Sequence, residues 1–151
     1  MLTLRIPPLL LALIFACVMI AAAMATPAIS LDAPALRWAG TAIILAGLAV
    51  CAGGVLAFRR AGTTVDPTRP DKASALVRSG IYRFTRNPMY LGFLLFLAGL
   101  GVLLGHPAAL VIALAFVPYM NRFQIEPEEE ALARLFGDEF ERFRREVRRW
   151  L

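Results

Sequence analysis

Apolar residues in this chain fall in blocks rather than at the periods of 3.6 or 2 that mark half-buried helices and strands. Four blocks stand out, roughly Ile6 to Ala25, Ala35 to Phe58, Met89 to Leu104 and Pro107 to Met120. The first two reach the ~20 residues a helix needs to cross a bilayer. The last two are shorter, and Gly105-His106-Pro107 separates them tightly. That spacing predicts a helical hairpin that need not cross the full thickness. Backbone facing lipid must satisfy its own hydrogen bonds, so the spanning parts are helices. The pattern therefore predicts an all-α integral membrane bundle of about four transmembrane helices with a cytoplasmic C-terminal amphipathic helix. The 151 residues divide as a single domain: 1–58 two membrane helices, 59–87 a cytoplasmic loop, 88–121 the hairpin, 122–151 a tail helix.

Composition agrees with a membrane class. The chain is 59% hydrophobic with a mean hydropathy of +0.66, more apolar than a soluble domain of this length. The first block, with Arg5 before it and Ala22-Ala23-Met24-Ala25 at its end, also reads as a cleavable signal peptide. Its run is long for that role, and three membrane blocks follow. Basic residues set the orientation. Arg59, Arg60, Arg69, Lys72, Arg78, Arg83 and Arg86 fill the middle loop, and seven arginines lie from Arg122 onward, whereas Thr26 to Pro34 holds none. Both termini and the loop are then cytoplasmic, with the net charge of +5 anchoring against anionic lipid of the inner leaflet. Charge confined to membrane-flanking segments argues against nucleic acid as a partner. Cys17 and Cys51 lie inside apolar blocks and read as small buried hydrophobes. A lone His106 and the absence of a cysteine pair at ligand spacing argue against a metal site.

Two polar clusters flank the hairpin. The first runs Gly80-Ile81-Tyr82-Arg83-Phe84-Thr85-Arg86-Asn87-Pro88-Met89-Tyr90-Leu91-Gly92. Pro88 suits the first turn of a helix, whose free N–H groups would face the cytoplasm, with Tyr82 and Tyr90 to either side. An interfacial aromatic belt with snorkelling arginines would look similar. The second cluster is Ile125-Glu126-Pro127-Glu128-Glu129-Glu130-Ala131-Leu132. At about 100° per residue, Glu128 and Glu129 share the apolar arc of Ile125, Leu132, Leu135 and Phe136, while Glu130 points away. Phe140, Phe143 and Val147 extend that arc if the helix survives Gly137. Acidic residues in a first turn suit the helix dipole, which explains their presence but not their inward direction. Brought together, the clusters form a cup in which a carboxylate holds an ammonium, helix-start N–H groups a carboxylate, and aromatics a purine or cation. S-adenosylmethionine carries all three groups; this chemistry permits it without singling it out.

The residues also resemble a family. Leu76-Val77, Gly80, Tyr82, Arg86-Asn87-Pro88, Tyr90 and Gly92, followed by Ile125-x-x-Glu128-Glu129-x-x-Leu132 and Phe136-Gly137, are similar to the isoprenylcysteine carboxyl methyltransferase and phospholipid methyltransferase group. The ending Val147-Arg148-Arg149-Trp150-Leu151 looks like that of its short bacterial members. The resemblance covers about Thr63 to Leu151. It implies an S-adenosylmethionine site lined by Ser74, Ala75, Leu76, Val77, Tyr82, Asn87, Pro88, Met89, Tyr90 and Glu128, and an acceptor that enters from the bilayer. Catalytic candidates are Glu129, Arg122 and Tyr90. Isoprenylcysteine enzymes usually have His where Ser74 and Asn87 stand, and Arg where Gln124 stands. These departures lean toward a lipid or small hydrophobic acceptor rather than a prenylcysteine carboxylate. Two rivals remain at this stage. One is an NADPH-dependent sterol-type membrane reductase. The other is a non-enzymatic membrane adaptor in which Glu128 and Glu129 pair with Arg83 or Arg86.

Overall fold

Each apolar block opens its helix at a proline, a residue with no N–H to lose in the first turn. The computed structural model describes residues 6–25, 33–62 and 75–151. In it α1 spans Pro8–Ala25, α2 Pro34–Ala61, α3 Pro88–Leu104 and α4 Pro107–Met120. α2 and α3 end at Gly62 and Gly105, with φ of 64° and 58°, the left-handed cap that glycine adopts without strain. Among the described residues there is no strand. α1, α2 and the rod that begins with α4 are long and apolar enough to cross a membrane, and α3 is a shorter apolar helix. The protein is an integral membrane helical bundle.

The fourth helix is longer than its apolar block. α4 passes through a π-turn, Asn121–Ile125, directly into α5, Glu126–Phe136, so the rod Pro107–Phe136 has 30 residues. The Glu126 N–H bonds back five residues to the Asn121 carbonyl. This widened turn lets the rod continue into Pro127, which has no N–H to give. The expected tail helix breaks at Gly137, where φ is 48° and ψ −123°. α6, Asp138–Glu146, follows, and Val147 is extended at φ −124° and ψ 134°.

α2 and α3 make the most extensive pairing, antiparallel and backbone to backbone. A Cβ at Gly47 would lie 2.7 Å from the Gly92 carbonyl oxygen, and one at Gly99 2.7 Å from that of Gly40. Small residues at such contacts let membrane helices approach closely. α1 packs on α4 and α3 around Leu11, Met19, Leu97, Phe116, Met120 and Ile125. A second cluster lies beyond the start of α3, where Ala57, Val77 and Tyr82 meet Phe140 and Phe143 of α6. A 3-10 turn, Gly80–Arg83, carries Tyr82 into that cluster and delivers the chain to α3.

Candidate functional site

The starts of α3 and α5 meet. Tyr90, third residue of α3, donates its phenolic hydrogen to Glu128 Oε1 at 2.7 Å. Glu128 is third in α5 and lies past the apolar part of the rod. Among the described residues no cation pairs with it. Burial pushes its carboxyl up to about 8; the Tyr90 bond works against that shift, and the charge of Glu129 adds to it. Tyr82 belongs to the same group. Burial, and behind it the charge of Glu128, pushes its phenol up, so it stays protonated, with its ring edge-on to Phe58 at 5.4 Å.

Glu129 has a different environment. Its Oε1 accepts from Arg86 at 2.8 Å and its Oε2 from Arg149 at 2.6 Å. The Arg86 side chain is 9% exposed and that of Glu129 11%, so the pair is removed from water. Burying such a pair is costly unless further hydrogen bonds support it, and most of the Arg86 donors have them, its buried Nε being left without a partner. Arg86 also donates to the carbonyls of Arg144 and Val147, and its backbone N–H to that of Arg148. Thr85 and Asn87 each donate a side-chain hydrogen to the Arg149 carbonyl. The Trp150 indole N–H bonds Asn121 Oδ1 at 3.0 Å. The extended segment after α6 is thus fastened across the junction of α3 and the π-turn.

The residues expected at the site divide accordingly. Tyr82, Tyr90 and Glu128 come together. Val77 is buried beside Tyr82 in the second cluster, with Leu76 at its edge and Ala75 half-buried. Pro88 is fully buried. Met89 faces α2, its carbonyl accepting from Cys51 Sγ at 3.4 Å. The Asn87 amide is bound to the C-terminal segment. Arg122 is exposed and pairs with Glu126 one turn on, away from the cluster. Ser74 lies outside the described residues. Arg149 is not among the expected site residues; the sequence marks it only as part of the ending Val147-Arg148-Arg149-Trp150-Leu151. Arg86 is part of the motif and a candidate partner of Glu128 and Glu129 in the adaptor reading, and the structure gives it Glu129 and not Glu128. Beside the Ala75–Val77 segment, an open groove of ≈530 Å³ is lined by Arg78, Arg83, Phe143, Glu146 and Val147.

Comparison with known proteins places this helical membrane bundle in a family. The chain belongs to the phospholipid methyltransferase family, whose profile matches residues 35–139. An uncharacterized protein of Haemophilus influenzae is 43% identical over 63 residues, 42% of this chain and all of that protein. The protein-S-isoprenylcysteine O-methyltransferase of Schizosaccharomyces pombe is 33% identical over 81 residues, 53% of this chain and 34% of the relative. A probable protein-S-isoprenylcysteine O-methyltransferase of Oryza sativa is 30% identical over 113 residues, 73% of this chain and 58% of the relative. The chain therefore spans between a third and three fifths of the length of these two methyltransferases. No solved structure matches it.

Proposed function

We propose that this chain transfers a methyl group from S-adenosylmethionine to a lipophilic acceptor at the cytoplasmic face of a bacterial inner membrane, with both termini on that side. One observation carries the reading: the half-buried Glu128 carboxyl accepts from Tyr90 at the starts of two helices and has no cation partner among the described residues. A carboxylate in that position suits an ammonium group, and Tyr82 and Tyr90 supply aromatic surface beside it. Ser74 to Val77 and Asn87 to Tyr90 would complete the lining. When bound, S-adenosylmethionine supplies an electrophilic methyl carbon on a sulfonium.

Displacement at that carbon releases a neutral thioether, so the chain needs no general acid. Its work is to align the acceptor and keep water out. Glu129 is held by two arginines, Tyr82 keeps its proton, and Arg122 faces solvent. That inventory favours a transfer in which no side chain takes a proton before the new bond forms. The isoprenylcysteine methyltransferases among the relatives make carboxyl O-methylation the second reading; Gln124 weighs against it.

Calorimetry on the purified full chain tests the donor. S-adenosylmethionine should bind and NADPH should not; binding of NADPH alone, or of neither, overturns the reading. Methyl-labelled methionine fed to cells with and without the protein should place protein-dependent label in the organic extract.

A further inference from the structure

The open groove of ≈530 Å³ lined by Arg78, Arg83, Phe143, Glu146 and Val147 is a second concavity, since none of Tyr82, Tyr90 and Glu128 lines it. Its two arginines differ. Arg78 is held in place: its guanidinium lies 5.6 Å from the Phe143 ring centroid and donates to Glu146 Oε2 at 2.6 Å. Arg83 is exposed, and its side chain makes no hydrogen bond or ion pair among the described residues. Glu146 is the one acid in the described lining, and Arg78 already engages it. The groove therefore carries one positive charge in excess and no free carboxylate.

Its depth follows from α2. The stretch between Arg37 and Arg59 has no charged residue. At ~1.5 Å per residue it is long enough for a hydrocarbon core of ~30 Å. Arg59 and Arg60, exposed in the last turn of α2, then mark the level of the headgroups. The 3-10 turn Gly80–Arg83 packs just short of that level. A Cβ at Gly53 would meet Ile81, one at Gly80 would meet Ala57, and the Phe58 and Tyr82 rings meet edge to face. Arg83 closes this turn, and Phe84 after it is 71% exposed. At this level an exposed aromatic ring suits the boundary between heads and acyl chains, and an unpaired arginine suits the phosphate above it.

We propose that this groove binds the phosphodiester head of an anionic phospholipid, which bridges the turn before α3 to α6. Arg83 offers an unshared planar fork of N–H donors to two phosphate oxygens. Arg78 has N–H donors beyond the one given to Glu146 and adds a further bond. A phosphodiester with one negative charge matches the excess charge of the groove. A zwitterionic head brings an ammonium for which no free carboxylate waits. A soluble phosphate would gain the same bonds but no contact between acyl chain and Phe84, so the lipid is the favoured occupant. Binding joins Arg83 of the turn to Phe143, Glu146 and Val147 of the tail, where the Val147 carbonyl already holds Arg86. The lipid thus tightens the fastening of the tail from outside the methyl-transfer site.

The full chain in dodecyl maltoside provides the test. The probes are dioctanoyl phosphatidylglycerol, dioctanoyl phosphatidylcholine and glycerophosphoglycerol, the free head of the first. Affinity is read from the saturable rise in melting temperature and from lipid retained in native mass spectra. Phosphatidylglycerol should bind about tenfold more tightly than either of the others, and Arg83→Gln should remove that advantage. Arg83→Lys should keep part of it. Arg142→Gln, at an exposed arginine of α6 outside the groove, should change nothing. Glu128→Gln should bind phosphatidylglycerol as the wild type does, and S-adenosylmethionine should not displace the lipid. Phosphatidylcholine bound equally well overturns the inference. So does an equal loss in the Arg83→Gln and Arg142→Gln proteins, which would mean diffuse charge. The free head bound equally well overturns the lipid and leaves a soluble anion as the ligand. Displacement by S-adenosylmethionine overturns the inference by making the groove part of the donor site. If the variants do not fold, the order of the probes on the wild type still decides. A wild type that binds phosphatidylglycerol selectively but not S-adenosylmethionine overturns the methyl-transfer reading and leaves this inference standing.

Discussion

The Tyr90 hydroxyl and the Glu128 carboxyl are joined by a 2.7 Å hydrogen bond although 38 residues separate them. The bond ties the first turn of α3 to the first turn of α5. It fixes where the half-buried Glu128 carboxyl sits at the mouth of the bundle.

Glu128→Gln removes the charge while keeping the shape and the Tyr90 bond. A charge-assisted bond to an ammonium is worth about 1.5–3 kcal/mol. Affinity for S-adenosylmethionine should fall roughly 10–100-fold. Glu130 is exposed, and Glu130→Gln should bind like the wild type. Calorimetry giving one affinity for all three proteins would remove Glu128 from the site.

The pH dependence follows from the carboxyl of Glu128, raised from an ordinary 4.5 to about 8. Below that value the free protein holds the proton, and binding an ammonium drives it off. Affinity should therefore rise with pH toward about 8, and then fall as the ligand's own α-amino group, near 8, loses charge. For stability the sign is the reverse of a salt-bridged acid. The folded state binds this proton more tightly than the unfolded state, so the group costs stability as pH climbs from 4.5 through 8. Calorimetry across this range should show the rising limb in the wild type and lose it in Glu128→Gln.

Arg86→Ala would strand Glu129 in a poorly solvated place and free the carbonyls of Arg144 and Val147. Breaking a buried pair from one side costs about 3–5 kcal/mol. The melting temperature in detergent should drop sharply. Arg86→Lys should recover little of it, because an ammonium cannot reproduce the fork that reaches all three partners. Recovery by lysine to the wild-type value would mean that charge alone matters there.

Gly47→Leu should prevent α2 from seating on α3, since its Cβ would press on the Gly92 carbonyl oxygen at 2.7 Å and the Phe96 nitrogen at 2.9 Å. Overpacking of this kind costs about 1–3 kcal/mol and more where backbone must move. Gly53→Ala meets only Ile81 at an ordinary 3.5 Å and should be tolerated. Yield of monodisperse protein in detergent distinguishes the two variants.

The arginine asymmetry predicts cysteine labelling of Ser30 from outside and of Thr68 and Leu151 from inside. Labelling of Thr68 from outside would invert the arrangement and separate the site from the cytoplasmic donor pool.

The bundle was legible because its signals are local. Apolar blocks, a proline at each helix start and glycine at Gly62 and Gly105 act within a few residues. The continuous rod was not, since Asn121, Arg122 and Pro127 resemble a helix end, and only the π-turn shows how the ladder passes them. Gly137 allows a break or a continuation, and packing of Phe140 and Phe143 against Val77 and Tyr82 accompanies the break. At the site, the helical arc placed Glu129 inward. It did not show that Arg86 and Arg149 would occupy that residue, because no periodicity links it to positions 43 residues before and 20 after. The groove between Arg83 and α6 is likewise a product of three-dimensional assembly.

The fastening of Arg86 has a consequence for biogenesis. Its partners Glu129, Arg144 and Val147 lie 43, 58 and 61 residues downstream. A ribosome delivers α1 to α4 to the bilayer before most of those partners exist. Insertion and competence are then separate events: a nascent chain stalled before α6 would be embedded, with its glycine-lined pair seated, and still lack the ties that hold the mouth of the bundle together.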